Sequence, residues 1–354
     1  MKIITRDDIL KKYKPLIIAG PCAVEVREQL RTIAKALNEM GVKILRCQLF
    51  KPRTDPDSFQ GIGLKGLPWI REVKKEFSML VAMEITDKDQ IKPTKGIVDI
   101  LWVGARNMQN YELLKAIGQD ERPVILKRGL IATVDEWVKA GKYIGLDRVI
   151  FCERGIRSGA DSMRFTLDLN GALVAKFDHQ MPVIIDPSHT AGRSDLVPYL
   201  AYAGMAAGMD GIVVEVHNQP EKALSDASQQ ITPEVFKKVL NEVNTLYKLR
   251  RQKEAPSAIP AFSVQEAHLK KKHPLKTLLF LAVKNRVGIL KDILTVFADF
   301  DINLSKLESH PGDSKNWDYY FEVEVECEAT EPRLIQALKI LKELCQQIKI
   351  IGEN

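Results

Sequence analysis

Residues 16–22 read Leu-Ile-Ile-Ala-Gly-Pro-Cys, a short run of apolar and β-branched side chains that ends in a glycine, a proline and a reactive cysteine. A run of this length, bounded by turn residues, is typical of a buried strand. Seven similar runs follow before residue 218, at a nearly even spacing, and stretches with helical periodicity lie between them. The eight predicted strands are 16–22, 42–48, 79–85, 99–105, 124–128, 148–153, 182–186 and 211–217.

Eight strand–helix repeats over about 250 residues predict the α/β class and a (β/α)8 TIM barrel. A doubly wound sheet is the rival architecture, but it rarely needs eight strands of such even spacing. An amphipathic helix predicted over residues 233–253 completes the barrel. We therefore assign residues 1–254 to a catalytic barrel domain.

The sequence pattern changes after residue 254. Residues 255–274 combine alanine and proline with a short lysine run and are predicted to form a linker. Residues 275–354 predict strand, helix, strand, strand, helix and strand, which is the βαββαβ order of a ferredoxin-like fold. The predicted elements of this second domain are 277–283, 287–297, 302–308, 317–327, 331–346 and 348–351.

The composition is that of a globular protein and excludes several classes. The chain of 354 residues is 45% hydrophobic and 28% charged, so disorder is not its dominant state. Its apolar runs fall far short of the ~20 residues that a membrane helix needs, and its first residues lack the apolar core of a signal peptide. The five scattered cysteines match neither a zinc finger nor a disulfide framework. We expect a cytoplasmic protein with reduced thiols and no membrane partner.

The net charge of +6 is concentrated in the first part of the chain. Residues 261–354 carry 13 Lys and Arg against 14 Asp and Glu, whereas the first 260 residues carry 39 against 32. The basic residues are scattered and do not form the stripe, interleaved with aromatic residues, of a nucleic-acid binder. We therefore expect no nucleic-acid partner, and small phosphate or carboxylate ligands instead.

Reactive side chains follow the predicted strands, at the end of a barrel where active sites lie. One set combines a thiol, an imidazole and two carboxylates, which suits a divalent transition metal. It consists of Cys22, His189, Glu215 and Asp226. A second set is cationic, and its members would repel one another unless phosphorylated ligands lie among them. It consists of Arg46, Lys51, Arg53, Arg106, Lys127 and Arg154.

One predicted strand and three single residues are less informative about function. The run at 79–85 ends in Met83-Glu84-Ile85 and says least about the site of the eight predicted strands. His217 either supports the ligand set or packs in the core. Cys47 and Cys152 fall within predicted strands and are expected to be core residues.

Residues 14–250 resemble the 3-deoxy-D-arabino-heptulosonate 7-phosphate (DAHP) synthase family, in its compact branch that also resembles 3-deoxy-D-manno-octulosonate 8-phosphate synthase. Eight motifs carry the resemblance in chain order. They are Ala-Gly-Pro-Cys (19–22), Lys-Pro-Arg-Thr (51–54) followed by Phe-Gln-Gly (59–61), Gly-Ala-Arg (104–106), Leu-Lys-Arg-Gly (126–129), Cys-Glu-Arg-Gly (152–155), Asp-Pro-Ser-His (186–189), Glu-Val-His (215–217) and Ala-Leu-Ser-Asp (223–226). Octulosonate enzymes have a sequence similar to Lys-Ala-Asn-Arg at the second motif. The resemblance therefore implies that this chain uses erythrose 4-phosphate.

The resemblance implies a condensation of phosphoenolpyruvate with D-erythrose 4-phosphate and water, which releases phosphate and opens the shikimate pathway. It implies a divalent metal on Cys22, His189, Glu215 and Asp226, with Mn²⁺ expected and Fe²⁺, Co²⁺ or Zn²⁺ as alternatives. Lys51 is the best candidate for the proton donor, with a metal-bound water as the alternative, and Cys22 and His189 are further implied catalytic residues. The implied phosphoenolpyruvate site consists of Arg46, Lys51, Arg106, Lys127 and Arg154, and the implied aldose phosphate site of Arg53 and Thr54. Gly104 and Ala105 are further implied substrate-binding residues.

Residues 275–354 resemble an ACT domain of the kind that regulates prephenate dehydratases. The resemblance lies in Asn-Arg-Val-Gly-Ile-Leu (285–290) and in Asn-Leu-Ser-Lys-Leu-Glu-Ser-His-Pro (303–311), which has His310 where arginine is usual. It implies a homo-oligomer, dimer or tetramer, that is feedback-inhibited by an aromatic amino acid, with phenylalanine favoured, bound between paired ACT domains. A glycine at the start of a helix lets such a ligand approach backbone N–H groups. The implied allosteric residues are Asn285, Val287, Gly288, Ile289, Leu290, Glu308, Ser309 and His310.

Other functions remain open at this point. The motif at 51–54 disfavours octulosonate 8-phosphate synthesis. An assay for turnover of arabinose 5-phosphate would decide between the two synthase activities. A catalytically silent amino-acid sensor is disfavoured because a silent barrel has no reason to keep costly buried charges. The ACT domain could also serve oligomerisation alone. Prephenate dehydratase activity is suggested only by the ACT domain, because nothing in the rest of this sequence resembles the catalytic domain of a prephenate dehydratase.

Overall fold

The computed structural model describes residues 3–53, 55–159, 164–253, 276–314 and 317–353. The chain divides into two compact units, Met1–Ser257 and Ala258–Asn354. The predicted linker at 255–274 lies outside the described residues. The predicted domain limits, 1–254 and 275–354, therefore stay predictions.

Eight parallel strands close into one barrel, in chain order, in the first unit. β1 pairs with β2 on one side and with β8 on the other, from Leu16 beside Gly211 to Gly20 beside Glu215. The strands are β1 (Leu16–Gly20), β2 (Ile44–Arg46), β3 (Leu80–Glu84), β4 (Ile100–Val103), β5 (Val124–Lys127), β6 (Val149–Glu153), β7 (Val183–Ile185) and β8 (Gly211–Glu215). The predicted TIM barrel is confirmed. The observed strands are shorter than predicted because the apolar runs continue into the loops.

Helices surround the barrel and follow most of its strands. They are α1 (Arg6–Lys12), α2 (Arg27–Glu39), α3 (Leu67–Phe77), α4 (Tyr111–Gly118), α5 (Val134–Ile144), α6 (Leu169–Phe177), α7 (Pro187–Ala191), α8 (Val197–Ala207) and α9 (Pro233–Lys253). The connection from β3 to β4 departs from the repeat, because it contains a 3₁₀ turn (Lys88–Gln90) and no α-helix. Pro93 and Gly96 lie in this short connection and disfavour a helix there.

Apolar side chains fill the barrel in two layers. The inward-facing ones form a buried cluster that includes Ile18, Ile44, Ile125, Ile184 and Val213. The outward-facing ones pack against the helices in a larger cluster. Trp102 of β4 is 1% exposed and lies at the top of the inner cluster, where its ring faces the Lys127 ammonium at 4.5 Å. The apolar interior therefore ends in a floor beneath the charged end of the barrel.

The second unit is an antiparallel sheet packed against two helices. Its elements are β9 (Thr277–Val283), α10 (Ile289–Asp299), β10 (Leu304–Ser314), β11 (Trp317–Val325), α11 (Pro332–Leu344) and β12 (Gln347–Glu353). The strand order is β10-β11-β9-β12, and this unit has its own buried core around Leu279, Leu281, Ile293, Phe297 and Val323. The predicted βαββαβ order is confirmed. None of the helices in the described part of the chain is long and apolar enough to cross a bilayer.

Candidate active site

A polar cavity of about 250 Å³ lies at the carboxyl ends of the barrel strands. Nine of the side chains or backbone positions predicted from the sequence line it. They are Lys51, Arg53, Gly104, Ala105, Arg106, Lys127, Arg154, His189 and Asp226. Thr54, the remaining predicted aldose phosphate residue, lies outside the described residues. The barrel topology thus brings groups that are far apart in sequence to one opening.

Cys22, Glu215 and Asp226 form a compact group of potential metal ligands. Their ligand atoms all lie within 4.8 Å of one another. Cys22 and Glu215 are fully buried at the ends of β1 and β8, whereas Asp226 comes from the loop after β8. The backbone of Asp226 has a φ of +46°, a conformation that non-glycine residues rarely adopt. This strained backbone directs its carboxylate back toward Cys22, whose Sγ lies 3.3 Å from Asp226 Oδ2.

Lys51 lies directly against this group. Its Nζ is 2.9 Å from Cys22 Sγ and 3.1 Å from Asp226 Oδ2. Burial disfavours the charged ammonium, but Cys22, Glu215 and Asp226 outweigh burial and raise the pKa of Lys51. Burial, reinforced by Glu215, raises the pKa of Cys22 to about 12. The ammonium therefore lies among three anionic or ionisable groups.

His189 is the fourth predicted ligand and is oriented by a neighbouring carboxylate. Its Nδ1 lies 2.8 Å from Asp186 Oδ2 and its Nε2 lies 3.6 Å from Glu215 Oε1. Burial lowers the pKa of His189 to about 4, although Asp186 acts in the opposite direction. In the neutral ring, Nδ1–H donates to Asp186, and the Nε2 lone pair faces Glu215.

This donor set fits a divalent metal. A thiol, an imidazole nitrogen and two carboxylates are ligands that Mn²⁺, Fe²⁺, Co²⁺ and Zn²⁺ accept. The Nε2 lone pair of His189 faces a carboxylate oxygen, and two acceptors at this distance need a proton or a cation between them. Glu215 Oε1 also has no hydrogen-bond partner among the described residues, although the Arg46 guanidinium lies 2.8 Å away. The residues present therefore suit the cation that the sequence predicts.

The cationic set lies beside and beneath the ligand group. Arg46 is 1% exposed and Arg154 is 5% exposed, and each has an Nη1 without a hydrogen-bond partner in the described part of the chain. Lys127 forms an ion pair with Asp186, and Arg106 lies at the outer edge of the cavity. Buried guanidinium groups that are only partly satisfied are the donors that anionic ligands use.

Several residues of the site were not predicted. Glu84, Arg164 and Phe165 also line the cavity. Glu84 belongs to β3, the predicted strand that said least about the site. Asp186 belongs to a quoted motif but received no role. Gln229 donates a hydrogen bond to Glu215 at 2.6 Å. No motif or strand-end position in the sequence pointed to this residue. These groups act through three-dimensional proximity, which a single strand-end pattern does not contain.

The other less informative residues have clear positions. His217 is 4% exposed, its Nε2 contacts Gln29 at 2.9 Å, and its Nδ1 accepts a hydrogen bond from the Gln219 backbone. Both of its ring nitrogens are therefore engaged within the surrounding loops. Cys47 and Cys152 are fully buried, which confirms that they are core residues.

The predicted allosteric residues occupy two segments of the second unit. The first segment is the start of α10, where Gly288 has a φ of +88° and open space around the position of a Cβ. Val287 is fully exposed, Leu290 is partly exposed and Ile289 is buried. Asn285 precedes them, and its backbone N–H donates to Asp318 at 2.8 Å. The glycine conformation leaves the start of the helix accessible.

The second segment lies on β10, next to β11. Glu308 forms an ion pair with Lys306 at 3.1 Å, and the ring of His310 stacks on Tyr320 with centroids 4.9 Å apart. Ser309 lies between them and is exposed. The two segments are on neighbouring elements, since Leu294 of α10 and Leu307 of β10 line one small surface cavity.

Known proteins share both parts of this architecture. Residues 4–249 match the DAHP synthetase I family, and residues 277–343 match the ACT domain. A phospho-2-dehydro-3-deoxyheptonate aldolase from Thermotoga maritima is 45% identical over 233 residues, which is 65% of this chain and 69% of that protein. A 2-dehydro-3-deoxyphosphooctonate aldolase from Desulfatibacillum aliphaticivorans is 31% identical over 254 residues, covering 66% of this chain and 92% of the relative.

A solved structure supports the same comparison. The crystal structure of phospho-2-dehydro-3-deoxyheptonate aldolase (DAHP synthase) from Thermotoga maritima is 43% identical, with a TM-score of 0.63. The match covers 66% of this chain and 69% of the solved chain.

Proposed function

The chain belongs to the DAHP synthetase I family and is a transferase of the DAHP synthase class with a C-terminal ACT domain, and on that premise we propose that it condenses phosphoenolpyruvate with D-erythrose 4-phosphate. The observation that carries this proposal is that a metal-type ligand set and a cationic set share one cavity. Phosphorylated substrates supply the anions that the cations need. The products are 3-deoxy-D-arabino-heptulosonate 7-phosphate and inorganic phosphate, at the start of the shikimate pathway in the cytoplasm.

Phosphoenolpyruvate is assigned to the deeper cations of the cavity. Arg46, Lys127 and Arg154 are almost completely buried, so a bound phosphate or carboxylate is held away from water. Ion pairing in such a site is stronger than at the surface and fixes the enol in one orientation. Gly104, Ala105 and Arg106 form the adjoining wall.

The metal is assigned to Cys22, His189, Glu215 and Asp226. When bound, Mn²⁺ or a related divalent ion supplies Lewis-acid polarisation of the aldehyde. Lys51 Nζ–H is placed beside two of these ligands, where the oxygen of the aldehyde is expected. As the enol carbon attacks the aldehyde carbon, that oxygen gains negative charge and takes a proton from Lys51. Water then adds to the remaining cationic carbon and loses a proton, which restores the Lys51 ammonium. The carbon–oxygen bond to the phosphate breaks, the hydroxyl proton goes to the leaving phosphate, and the ketone forms.

The aldose phosphate is assigned to Arg53, in the outer part of the cavity, and to Thr54, which is included because its motif resembles that of the family. Arg53 Nη1 lies 3.6 Å from Asp226 Oδ1, next to the ligand group. Its motif, Lys-Pro-Arg-Thr, supports erythrose 4-phosphate over arabinose 5-phosphate. Arabinose 5-phosphate is the alternative substrate to test, because one relative of this chain is a 2-dehydro-3-deoxyphosphooctonate aldolase.

Regulation is assigned to the ACT domain. We propose that phenylalanine, or another aromatic amino acid, binds at the residue 285–290 segment and at Glu308, Ser309 and His310 of paired ACT domains. The accessible start of α10 and the exposed apolar side chains Val287, Leu290 and Leu307 support both ligand binding and pairing. The chain is therefore proposed to be a homo-oligomer, dimer or tetramer. Effector binding lowers activity only if it favours a less active state.

One assay tests these proposals together. Consumption of phosphoenolpyruvate is measured with erythrose 4-phosphate or arabinose 5-phosphate, with Mn²⁺ or EDTA, and with or without phenylalanine. Metal-dependent turnover of erythrose 4-phosphate that phenylalanine suppresses is the expected result. Preference for arabinose 5-phosphate contradicts the substrate assignment, and full activity at saturating phenylalanine contradicts the assigned effector. No turnover with either aldose phosphate makes the chain an amino-acid sensor.

A further inference from the structure

Arg164 is a cationic side chain of the cavity that has no role in the proposed reaction so far. It lies in the loop after β6, near the ligand group, and none of the motifs quoted above contains it. Its Nη1 donates a hydrogen bond to Gln229 Oε1 at 2.8 Å. A guanidinium has five N–H donors, so this bond uses one of them.

Arg164 and Arg53 flank the same carboxylate oxygen. Arg53 Nη1 is 3.6 Å and Arg164 Nη1 is 3.9 Å from Asp226 Oδ1. The other oxygen of this carboxylate already pairs with Lys51. One carboxylate therefore faces three cations, and the two guanidinium groups on its outer side are close enough together to hold a single dianion.

Exposure separates these two guanidinium groups from the deeper cations. The side chain of Arg53 is 25% exposed and that of Arg164 is 39% exposed, whereas that of Arg46 is 2% exposed. Phe165 lies between the two levels, with the Arg154 guanidinium 4.1 Å and the Arg164 guanidinium 5.6 Å from its ring centroid. Arg154 is thus held on the inner side and Arg164 nearer to the solvent.

We propose that Arg164 binds the terminal phosphate of the aldose phosphate together with Arg53. The inference rests on the proposed function, since it concerns the second substrate of that reaction. Two guanidinium groups present planar pairs of donors that match the oxygens of a phosphate dianion. The cation–π contact with Phe165 and the bond to Gln229 hold Arg164 in place for this contact.

The competing role for Arg164 is to position the metal ligands. Gln229 accepts from Arg164 and donates to Glu215, so a chain of hydrogen bonds connects Arg164 to the proposed metal site. The two roles make different predictions. Loss of a phosphate contact weakens only the phosphorylated aldose, whereas loss of a positioning contact weakens metal binding and lowers the turnover of every aldose.

The test compares Arg164→Ala and Arg164→Lys with the unchanged chain, loaded with Mn²⁺. Arg193→Ala is the matched control, because Arg193 is an exposed arginine paired with Asp195. We measure KM for erythrose 4-phosphate and for phosphoenolpyruvate, turnover of unphosphorylated erythrose, and the dissociation constants of Mn²⁺ and of erythrose 4-phosphate by calorimetry. We expect at least a tenfold rise in KM and in the dissociation constant of erythrose 4-phosphate for Arg164→Ala. Lysine restores part of this loss.

The remaining readouts decide between the roles. We expect KM for phosphoenolpyruvate, Mn²⁺ affinity and kcat/KM for erythrose to stay within twofold of the unchanged chain. Weaker Mn²⁺ binding with unchanged erythrose 4-phosphate binding overturns the proposal, and so does an equal loss with erythrose and erythrose 4-phosphate. If the unchanged chain binds erythrose 4-phosphate without turning it over, the proposed function fails while the calorimetric comparison still tests Arg164. If it does not bind this sugar phosphate at all, both fail.

Discussion

The ammonium nitrogen of Lys51 lies 2.9 Å from the sulfur of Cys22, so the proposed proton donor and a proposed metal ligand share one contact. In this arrangement the lysine, together with Arg46 and Arg53, supplies positive charge beside the carboxylates. A divalent metal bound to the proposed ligands would supply positive charge at the same place and would leave Lys51 to face the substrate. The metal and the Lys51 ammonium therefore compete for the same ligand group.

Metal removal provides the first prediction. Treatment with EDTA should abolish phosphoenolpyruvate consumption, and Mn²⁺ should restore it. Cys22→Ser should weaken Mn²⁺ binding at least tenfold, because it replaces a thiolate ligand with a hydroxyl group. Cys345→Ser, in the second unit, is the control and should keep the Mn²⁺ affinity. Metal titration followed by calorimetry measures both. Equal affinity for the two variants would exclude Cys22 from the metal site.

Lys51→Met should lower kcat by about 100- to 10,000-fold, the usual range for loss of a general acid. The methionine side chain fills a similar space without a proton to donate. Lys65→Met, at an exposed lysine outside the cavity lining, is the control and should change kcat less than twofold. Steady-state kinetics at saturating substrates gives the comparison. A kcat for Lys51→Met close to that of the unchanged chain would assign the proton to another group.

Asp186→Asn should destabilise the barrel and weaken the metal site together. Asp186 is fully buried and pairs with both Lys127 and His189, so its loss leaves a buried ammonium without its partner. We expect about 3 kcal/mol lower free energy of unfolding in urea, as for other broken buried ion pairs. Mn²⁺ affinity should also fall by about 10- to 100-fold because His189 loses its orienting carboxylate. Asp195→Asn, in an exposed ion pair, should change neither quantity.

Asp120 should contribute a pH-dependent part of the stability. Its carboxylate accepts three hydrogen bonds from Arg122, which together lower its pKa although burial opposes them. Because the folded-state pKa is below the unfolded one, this contribution is complete above about pH 5 and is lost as the pH falls through the lowered pKa. Asp120→Asn should therefore lower stability at pH 7 and flatten its decline toward pH 3.5. Urea unfolding across this range measures the difference, and parallel curves would refute it.

Gly288→Val should reduce phenylalanine binding at least tenfold. The glycine has a φ of +88°, which a β-branched residue does not tolerate, so the start of α10 must change shape. Gly352→Ala, where an added Cβ meets only ordinary van der Waals contact, is the control. Calorimetric titration with phenylalanine gives the affinities. Undiminished binding to Gly288→Val would move the effector away from this helix start.

The fold was largely predictable from the sequence because strand and helix periods are local properties. Buried parallel strands appear as short apolar runs, and the eight runs recur at the spacing of a barrel. The connection between β3 and β4 shows the limit of this reasoning. Pro93 and Gly96 disfavour an α-helix in this connection, but the even spacing of the predicted strands did not reveal that the helix is missing.

The site was predictable where a reactive residue ends a strand, and much less so elsewhere. Lys127 ends β5, and Lys51 and His189 lie a few residues beyond the ends of β2 and β7; all three line the cavity. Arg164 and Gln229 lie in long loops and bond to each other although they are 65 residues apart in sequence. Gln229 also bonds to Glu215, at the end of β8. Such contacts depend on how the loops fold over the barrel, which no local pattern encodes.

Glu84 and Gly104 illustrate a constraint of this kind. A Cβ added at residue 104 would overlap the Glu84 carboxylate, so the absence of a side chain at one strand end makes room for the other. Alanine at 104 therefore requires the Glu84 carboxylate to move, whereas a shorter side chain at 84 places no demand on residue 104. Because both residues line the cavity, a substitution at 104 reshapes its wall through the displaced acid as well as through the added methyl group.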